Sequence, residues 1–140
     1  MGVYKESLMD LFADTLIHLG VKRALIVHSC GLDELSLLGP SAVIEIKRDQ
    51  KEFYEIYPQD YGFECGKLSD IRGGDPRHNA SLIKNALSGG SGPITDTILL
   101  NAGAALYIYG LSDTILDGVN LARHALESGL AKDLIREAHA

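Results

Sequence analysis

A chain of 140 residues is long enough to bury one hydrophobic core but short for two ordinary domains, so we expect a single compact unit. Hydrophobic residues make up 46% of the sequence and charged residues 23%, a balance that excludes a disordered chain. The formal net charge of -6 gives no electrostatic reason to expect a nucleic acid or an anionic membrane as partner. An anionic ligand would have to be captured locally, by a metal ion or by helix N-termini.

The first half of the chain has the pattern of a helix, a buried strand and a hairpin. Apolar residues recur at three- and four-residue steps before Gly20, which predicts an amphipathic helix with a glycine C-cap. Arg23–His28 is a short apolar run typical of a buried strand, and residues 29–40 form a loop leaving its end. Residues 41–46 and 52–57 partly alternate and flank a charged stretch, which favours a hairpin. The predicted helical stripe consists of Leu8, Leu11, Phe12, Thr15, Leu16 and Leu19.

The second half is predicted to be irregular over residues 58–74 and helical thereafter. Asp75 precedes Pro76 as an N-cap, and Leu82, Ile83, Ala86 and Leu87 form the buried stripe of the helix that follows. The further predicted helices run from Gly92-Pro93 to about Tyr109, from a cap at Ser112-Asp113 through Leu126, and from Leu130 to about Glu137. The fold class is therefore α/β, with a mixed sheet flanked by helices. Its strands are few for so many helices, so part of the sheet is expected to lie outside the chain.

Cysteine usage and the apolar runs indicate the cellular compartment in which the protein is expected. Cys30 and Cys65 are far apart and lack metal-binding or disulfide spacing, so we expect reduced thiols in a cytoplasmic protein. The first residues lack the layout of a signal or transit peptide. The most apolar run, residues 97–111, falls short of the ~20 residues that a membrane span needs. We therefore expect no membrane partner.

The densest polar segment, His28 to Glu34, lies just beyond the carboxyl end of the predicted buried strand, where ligands bind in open α/β sheets. Asp33 and Glu34 are adjacent carboxylates on a loop next to glycine, and hard oxygen donors of this kind suit Mg²⁺. By spacing alone, an Asp-Glu pair on a loop is more often solvated surface charge. His28 is interpreted as packed or bonded to the backbone, and Cys30 as a small structural residue.

Several segments resemble anthranilate phosphoribosyltransferases, in the order and spacing of that family. The first is Arg23 to Ser36, which is similar to the stretch around the family's Asp-Glu motif. The others are Gly39-Pro40, Pro58-Gln59-Asp60-Tyr61-Gly62, Gly73-Gly74-Asp75 with Asn79-Ala80, Leu99-Leu100-Asn101-Ala102, and Gly118-Val119 through Ser128-Gly129 to Ala131. The resemblance covers nearly the whole chain from Gly2-Val3-Tyr4 onward.

The resemblance implies a fold, a reaction and a metal. The fold is part of an α/β domain of the nucleoside phosphorylase and phosphoribosyltransferase type, with residues 1–140 as its C-terminal portion. The reaction transfers phosphoribosyl from phosphoribosyl pyrophosphate (PRPP) to anthranilate, releasing pyrophosphate, in tryptophan biosynthesis. Asp33 and Glu34 correspond to the family's Mg²⁺ ligands, whereas no matched residue is a nucleophile, a general base or a cofactor contact. The implied location is the cytoplasm, or the plastid stroma if a precursor carries a transit peptide.

The family's helical N-terminal domain, its Gly-Thr-Gly-Gly-Asp pyrophosphate loop and its anthranilate-contacting arginine are expected upstream of this chain. The expected partners are therefore that N-terminal half, PRPP, anthranilate and, in the complete enzyme, a second copy. Gly73-Gly74-Asp75 matches a different family segment and is interpreted as turn glycines before a helix cap. The alternatives are a non-catalytic binding or interaction module that retains the transferase fold and, with less support, a nucleoside phosphorylase-like protein.

Overall fold

The described residues combine a small sheet with five α-helices, which confirms the predicted α/β class. A computed structural model describes residues 1–138, with side chains as far as Leu134. The elements in chain order are α1 (Met9–His18), β1 (Arg23–His28), β2 (Ser41–Lys47), β3 (Gln50–Ile56), α2 (Pro76–Leu87), α3 (Pro93–Tyr109), α4 (Ile115–Glu127) and α5 (Leu130–Ala138). They divide into two compact units, Met1–Cys65 and the residues from Gly66 onward. The expectation of a single compact unit is wrong, because each half packs mainly on its own elements.

The sheet belongs to the first unit and has the strand order β1-β2-β3. Both neighbouring pairs are antiparallel, with Ile26 opposite Ile44 and Ile44 opposite Phe53. The parallel part of the sheet is a single bridge between Gly2 and Val27. The predicted hairpin is confirmed, and its turn is tighter than expected because Arg48 and Asp49 both take positive φ angles of 49° and 68°, as in a type I′ turn.

Helix α1 packs on the sheet through a face that overlaps only part of the predicted stripe, since Leu8 and Leu16 of that stripe pack there partly buried. Met9 and Ala13 are buried against Ile26, Ile44 and Ile46. By contrast, Leu11 and Leu19 of the predicted stripe are 62% and 73% exposed. The large leucines gave the stronger periodic signal, but the small side chain of Ala13 lets the helix lie close to the strands.

Lys51, which follows the hairpin turn, ties β3 to this helix. Its Nζ atom lies 2.9 Å from Asp10 Oδ1 and 2.7 Å from Asp14 Oδ1. These two hydrogen-bonded carboxylates, Asp14 first and then Asp10, raise the pKa of Lys51. The pairs lie on the surface, so their contribution to stability is small.

The second unit is helical, and its central feature is a close crossing of α3 and α4. A Cβ atom on Gly103 would lie 2.5 Å from the backbone nitrogen of Val119, and one on Gly118 would lie 2.2 Å from the carbonyl oxygen of Gly103. The two backbones therefore touch. Helix α4 is capped by Thr114, whose side chain accepts from the Asp117 N–H at 3.1 Å, and not by Ser112-Asp113 as predicted.

The stripe predicted for α2 is only partly confirmed, since Ala86 is buried whereas Ile83 is 44% exposed. Within residues 1–138, no helix is both long enough and apolar enough to cross a membrane.

Candidate metal-binding site

The loop that carries Asp33 and Glu34 begins with a tight reversal of the chain directly after β1. Ser29 and Leu32 pair with each other, with N···O distances of 3.1 Å and 2.8 Å between their backbones. Cys30 and Gly31 between them have φ angles of 49° and 83°. Glycine adopts such angles without cost, whereas a residue with a Cβ atom is strained by about 1–2 kcal/mol. The turn places Asp33 just beyond the carboxyl end of β1, as predicted.

The base of this loop is a buried network of serine hydroxyls. Ser29 Oγ and Ser36 Oγ lie 2.8 Å apart, and the backbone N–H of Leu38 donates to Ser36 Oγ at 3.2 Å. The backbone N–H of Ser36 in turn donates to Ser41 Oγ at 3.3 Å. All three serines are at most 1% exposed. Because buried polar groups are costly without partners, this network holds the loop in one conformation. Sequence reasoning missed it, since the three serines are not adjacent.

Leu35 and Leu37 anchor the same base by apolar burial, at 1% and 2% exposure. They flank Ser36, so the second half of the loop is packed rather than mobile. The loop thus has a fixed base and an exposed tip, residues 30–34, with Leu32 half-buried.

Asp33 and Glu34 are both exposed on this tip. Among the side chains described as far as Leu134, no lysine, arginine or histidine forms an ion pair with either carboxylate. Partial loss of hydration raises the pKa of Glu34, and repulsion from Asp33 and a hydrogen bond to its side chain raise that pKa further. The Glu34 backbone N–H acts in the opposite direction. Two like charges held together without a counter-charge are stabilised by a cation.

The carboxylates of Asp33 and Glu34 are of a type and number that fit Mg²⁺. No group of three or more His, Cys, Asp or Glu side chains that could hold a metal exists among the described residues. An all-protein cage of the kind that zinc or calcium prefers is therefore not formed within that part of the chain. Mg²⁺ retains several waters and takes one or two carboxylates together with substrate phosphates. Asp33 and Glu34 supply that number of oxygen-bearing side chains.

Residues 1–3 support the site from the open edge of β1, a feature that sequence reasoning did not predict. The backbone N–H of Val3 donates to Val27 O at 3.0 Å, and the N–H of Val27 donates to Met1 O at 2.9 Å. His28 Nδ1 donates to Val3 O at 2.8 Å. The interpretation of His28 as bonded to the backbone is confirmed, and its ring holds the first residues against the strand that leads into the loop.

In the other acidic loop, Gly73-Gly74-Asp75, the predicted helix cap at Asp75 is confirmed. Asp75 Oδ1 accepts from the backbone N–H of His78 at 2.9 Å and so caps α2. Neither glycine has a positive φ, so their interpretation as turn glycines is wrong. Gly73 instead leaves room for Asn79, whose Oδ1 accepts from the Gly74 N–H at 2.7 Å, and Gly74 leaves room for His78.

Two further expectations concern single side chains. Asn101 Nδ2 donates to Thr97 O at 2.9 Å, which confirms a hydrogen bond for this amide within α3. Cys30 is exposed and has a φ of 49° in the turn, so it is not the packed residue that the sequence suggested.

Comparison with known proteins agrees with the resemblance seen in the sequence. The anthranilate phosphoribosyltransferase of Haloferax volcanii is 42% identical over 99% of this chain, which covers 43% of that protein. The crystal structure of anthranilate phosphoribosyltransferase from Thermus thermophilus matches with a TM-score of 0.89 at 36% identity, over 97% of this chain and 40% of that one. The Saccharomyces cerevisiae enzyme in complex with PRPP and Mg matches with a TM-score of 0.85 at 27% identity, over 94% of this chain and 39% of that one.

This chain thus spans about two fifths of the length of the relatives that it matches. The similarity to anthranilate phosphoribosyltransferases that the sequence motifs predicted is confirmed. The family model described as "Glycosyl transferase family, a/b domain" matches residues 1–132, nearly the whole chain. The chain therefore belongs to the α/β-domain glycosyl transferase family.

Proposed function

We propose that this chain is part of an anthranilate phosphoribosyltransferase and that Asp33 and Glu34 hold the magnesium ion of its PRPP complex. The observation that carries the proposal is the exposed pair of carboxylates, without a basic partner among the described side chains, on a loop with a buried hydrogen-bonded base. The S. cerevisiae relative bound to PRPP and Mg supports the choice of metal and ligand.

The role of the chain in the reaction is positioning and electrostatics. Magnesium, when bound, neutralises charge that develops on a departing diphosphate. The serine network and the packed leucines hold the base of the loop before any ligand arrives, which limits the reorganisation that binding requires.

Residues 1–140 contain no Gly-Thr-Gly-Gly-Asp motif to bind the pyrophosphate itself. We therefore propose that they form the C-terminal part of the catalytic α/β domain, and that pyrophosphate and anthranilate contacts come from other parts of the enzyme. Phosphoribosyl transfer would then need those parts, and this chain by itself would be inactive. The same missing motif favours the rival, a non-catalytic module that retains the fold.

A chimeric enzyme tests the proposal. The segment of the Thermus thermophilus enzyme that aligns with this chain is replaced by residues 1–140, and phosphoribosyl transfer to anthranilate is measured. We expect activity, and we expect Asp33→Asn or Glu34→Gln to lower kcat/KM on the order of 10²-fold, because an electrostatic contact is lost. Asp75→Asn is the matched control, since it removes the same charge while Asn still caps a helix.

Two results would overturn the proposal. If Asp33→Asn and Glu34→Gln are as active as Asp75→Asn, the carboxylates are not the metal ligands. If a folded chimera shows neither transfer nor Mg²⁺-dependent binding of PRPP, the non-catalytic module is supported.

A further inference from the structure

The backbone of Gly2 lies directly against the peptide of Asp33. A Cβ atom built on Gly2 would lie 1.3 Å from the carbonyl oxygen of Asp33, 2.4 Å from its carbonyl carbon and 2.9 Å from its Cβ atom. No side chain larger than hydrogen fits there. The atoms in the way belong to the backbone of Asp33 and to the first atom of its side chain, so rotation of a flexible side chain cannot relieve the overlap.

Gly2 is needed for space rather than for an unusual conformation. Its φ is not positive, so the backbone of residue 2 is one that any amino acid can adopt. In this respect Gly2 differs from Gly31 in the same unit, whose φ is 83° and whose added Cβ atom would meet nothing within 4 Å. The absence of a side chain at position 2 thus serves the contact with Asp33.

If a side chain were added at position 2, Asp33 would be the residue that moves. Gly2 lies between Met1 and Val3, both of which are hydrogen-bonded to Val27 of the sheet. The ring of His28 holds Val3 as well, at 2.8 Å. Asp33, in contrast, lies on the exposed tip of the loop, outside the buried serine network.

We propose that Gly2 is a positioning residue for Asp33, setting where its carboxylate meets the magnesium ion. This inference rests on the proposed function of Asp33 and Glu34. The serine network fixes the buried base of the loop, and the close approach of Gly2 fixes its tip from the side of β1. A metal held by two neighbouring carboxylates needs both oxygen donors at the correct distance, so a shift of the Asp33 peptide weakens binding while the fold persists.

Magnesium titration of the ¹⁵N-labelled chain, followed by NMR, tests the role of Gly2. The probe is Mg²⁺ alone, and the readout is its dissociation constant from the Asp33 and Glu34 amide shifts. We expect Gly2→Ala to weaken Mg²⁺ binding about 10–100-fold, as loss of a supporting residue commonly does at metal sites. Gly39→Ala is the matched control. It adds a methyl group within the loop that carries Asp33, at an ordinary contact distance of 3.5 Å from Cys30 Sγ.

A double-mutant cycle separates positioning from general damage. In an Asp33→Asn background, Gly2→Ala should leave the residual Mg²⁺ affinity unchanged, because its effect acts through Asp33. If Gly2→Ala weakens Mg²⁺ binding as much in the Asp33→Asn background as in the unaltered chain, the inference is overturned. It is also overturned if Gly2→Ala binds Mg²⁺ as tightly as Gly39→Ala does. If Mg²⁺ moves neither the Asp33 nor the Glu34 resonance of the unaltered chain, the inference fails, whereas the proposed function is tested separately by phosphoribosyl transfer and PRPP binding in the chimera.

If Gly2→Ala does not fold, NMR of the unaltered chain tests the contact between Gly2 and Asp33 instead. Close-contact NOEs between the Gly2 Hα protons and Asp33, together with a Gly2 amide shift that follows the same Mg²⁺ saturation curve as Asp33, support the inference. The absence of either one overturns it.

Discussion

In both units acidic residues lie beside the end of a strand or the start of a helix, but the units use these acids differently. In the sheet-containing unit, Asp33 and Glu34 follow a turn after β1, and no described basic side chain pairs with them. In the helical unit, Asp75 accepts the His78 N–H, and Asp117 Oδ2 accepts a hydrogen bond from the Thr114 hydroxyl at 2.7 Å. The acids that follow the strand have no described basic partner, whereas the acids at the start of a helix serve the free backbone N–H groups and the cap.

The units also use glycine in two ways, for space and for conformation. Gly2 and Gly103 allow backbones to touch, whereas Gly31 and Gly129 supply positive φ angles with open space around them. Two kinds of substitution test this comparison between the units. One kind adds a methyl group to a glycine of each class, and the other removes hydrogen bonds at each acidic loop. The expected effects on stability decrease in the order given below.

Gly103→Ala should have the largest effect, destabilising the chain by about 1–3 kcal/mol or more, because the new methyl group overlaps the backbone of Val119. The measurement is the free energy of unfolding in urea. The control is Gly129→Ala, where φ is 83° and nothing lies within 4 Å, so only conformational strain of about 1 kcal/mol is added. Equal effects of the two changes would contradict a backbone contact between α3 and α4.

Ser36→Ala should destabilise the sheet-containing unit by about 1–2 kcal/mol, because it removes the acceptor for the Leu38 N–H and the partner of Ser29 in a buried site. Hydrogen exchange of the Leu38 amide should accelerate in this variant. Ser69→Ala serves as control, since the Ser69 hydroxyl is exposed. If Leu38 exchanges at the unaltered rate, the serine network does not hold the loop.

Asp75→Ala should cost about 1 kcal/mol, the usual cost of losing a helix N-cap. Asp75→Asn should restore most of this loss, since an amide oxygen also accepts the His78 N–H. Urea unfolding of the two variants and of the unaltered chain gives the comparison. An Asn variant as unstable as the Ala variant would show that the charge, rather than the cap, is what matters at this position.

The smallest effect concerns pH and the pairing of Lys51 with Asp14 and Asp10. Because the folded chain raises the pKa of Lys51, its contribution to stability is present below the lysine's ordinary pKa and is lost as the pH rises through the folded value. The melting temperature of the unaltered chain, relative to that of Lys51→Met, should therefore fall slightly in strongly alkaline solution. If the melting temperature of the unaltered chain instead rises relative to that of Lys51→Met as the pH increases, the pairing of Lys51 with Asp14 and Asp10 is contradicted.

Much of the fold could be predicted from periodicity, because helix and strand patterns depend on local side-chain spacing. The positions of β1, the hairpin and the four later helices follow from the sequence. The face that each helix buries follows less well, as Met9 and Ala13 of α1 show, because burial depends on the shape of the surface that the helix meets. The division into two units was likewise not visible in the composition.

The candidate site was predicted in part. Asp33 and Glu34 were located from motifs, and their ligand role remains a proposal. The residues that hold them, Ser29, Ser36 and Gly2, gave no signal because their contacts join positions up to 31 residues apart that carry no shared pattern.

What the sequence determined by itself is the local chemistry: two adjacent carboxylates after a buried strand, in a segment that resembles anthranilate phosphoribosyltransferases. What only the tertiary structure decided is how those carboxylates are held. The turn at Cys30-Gly31 folds the loop back on itself, the buried serines fix its base, and the open side of Gly2 receives the Asp33 peptide. The physical reason is that spacing along the chain specifies which groups are present, whereas their partners are specified by close packing between segments that are distant in sequence.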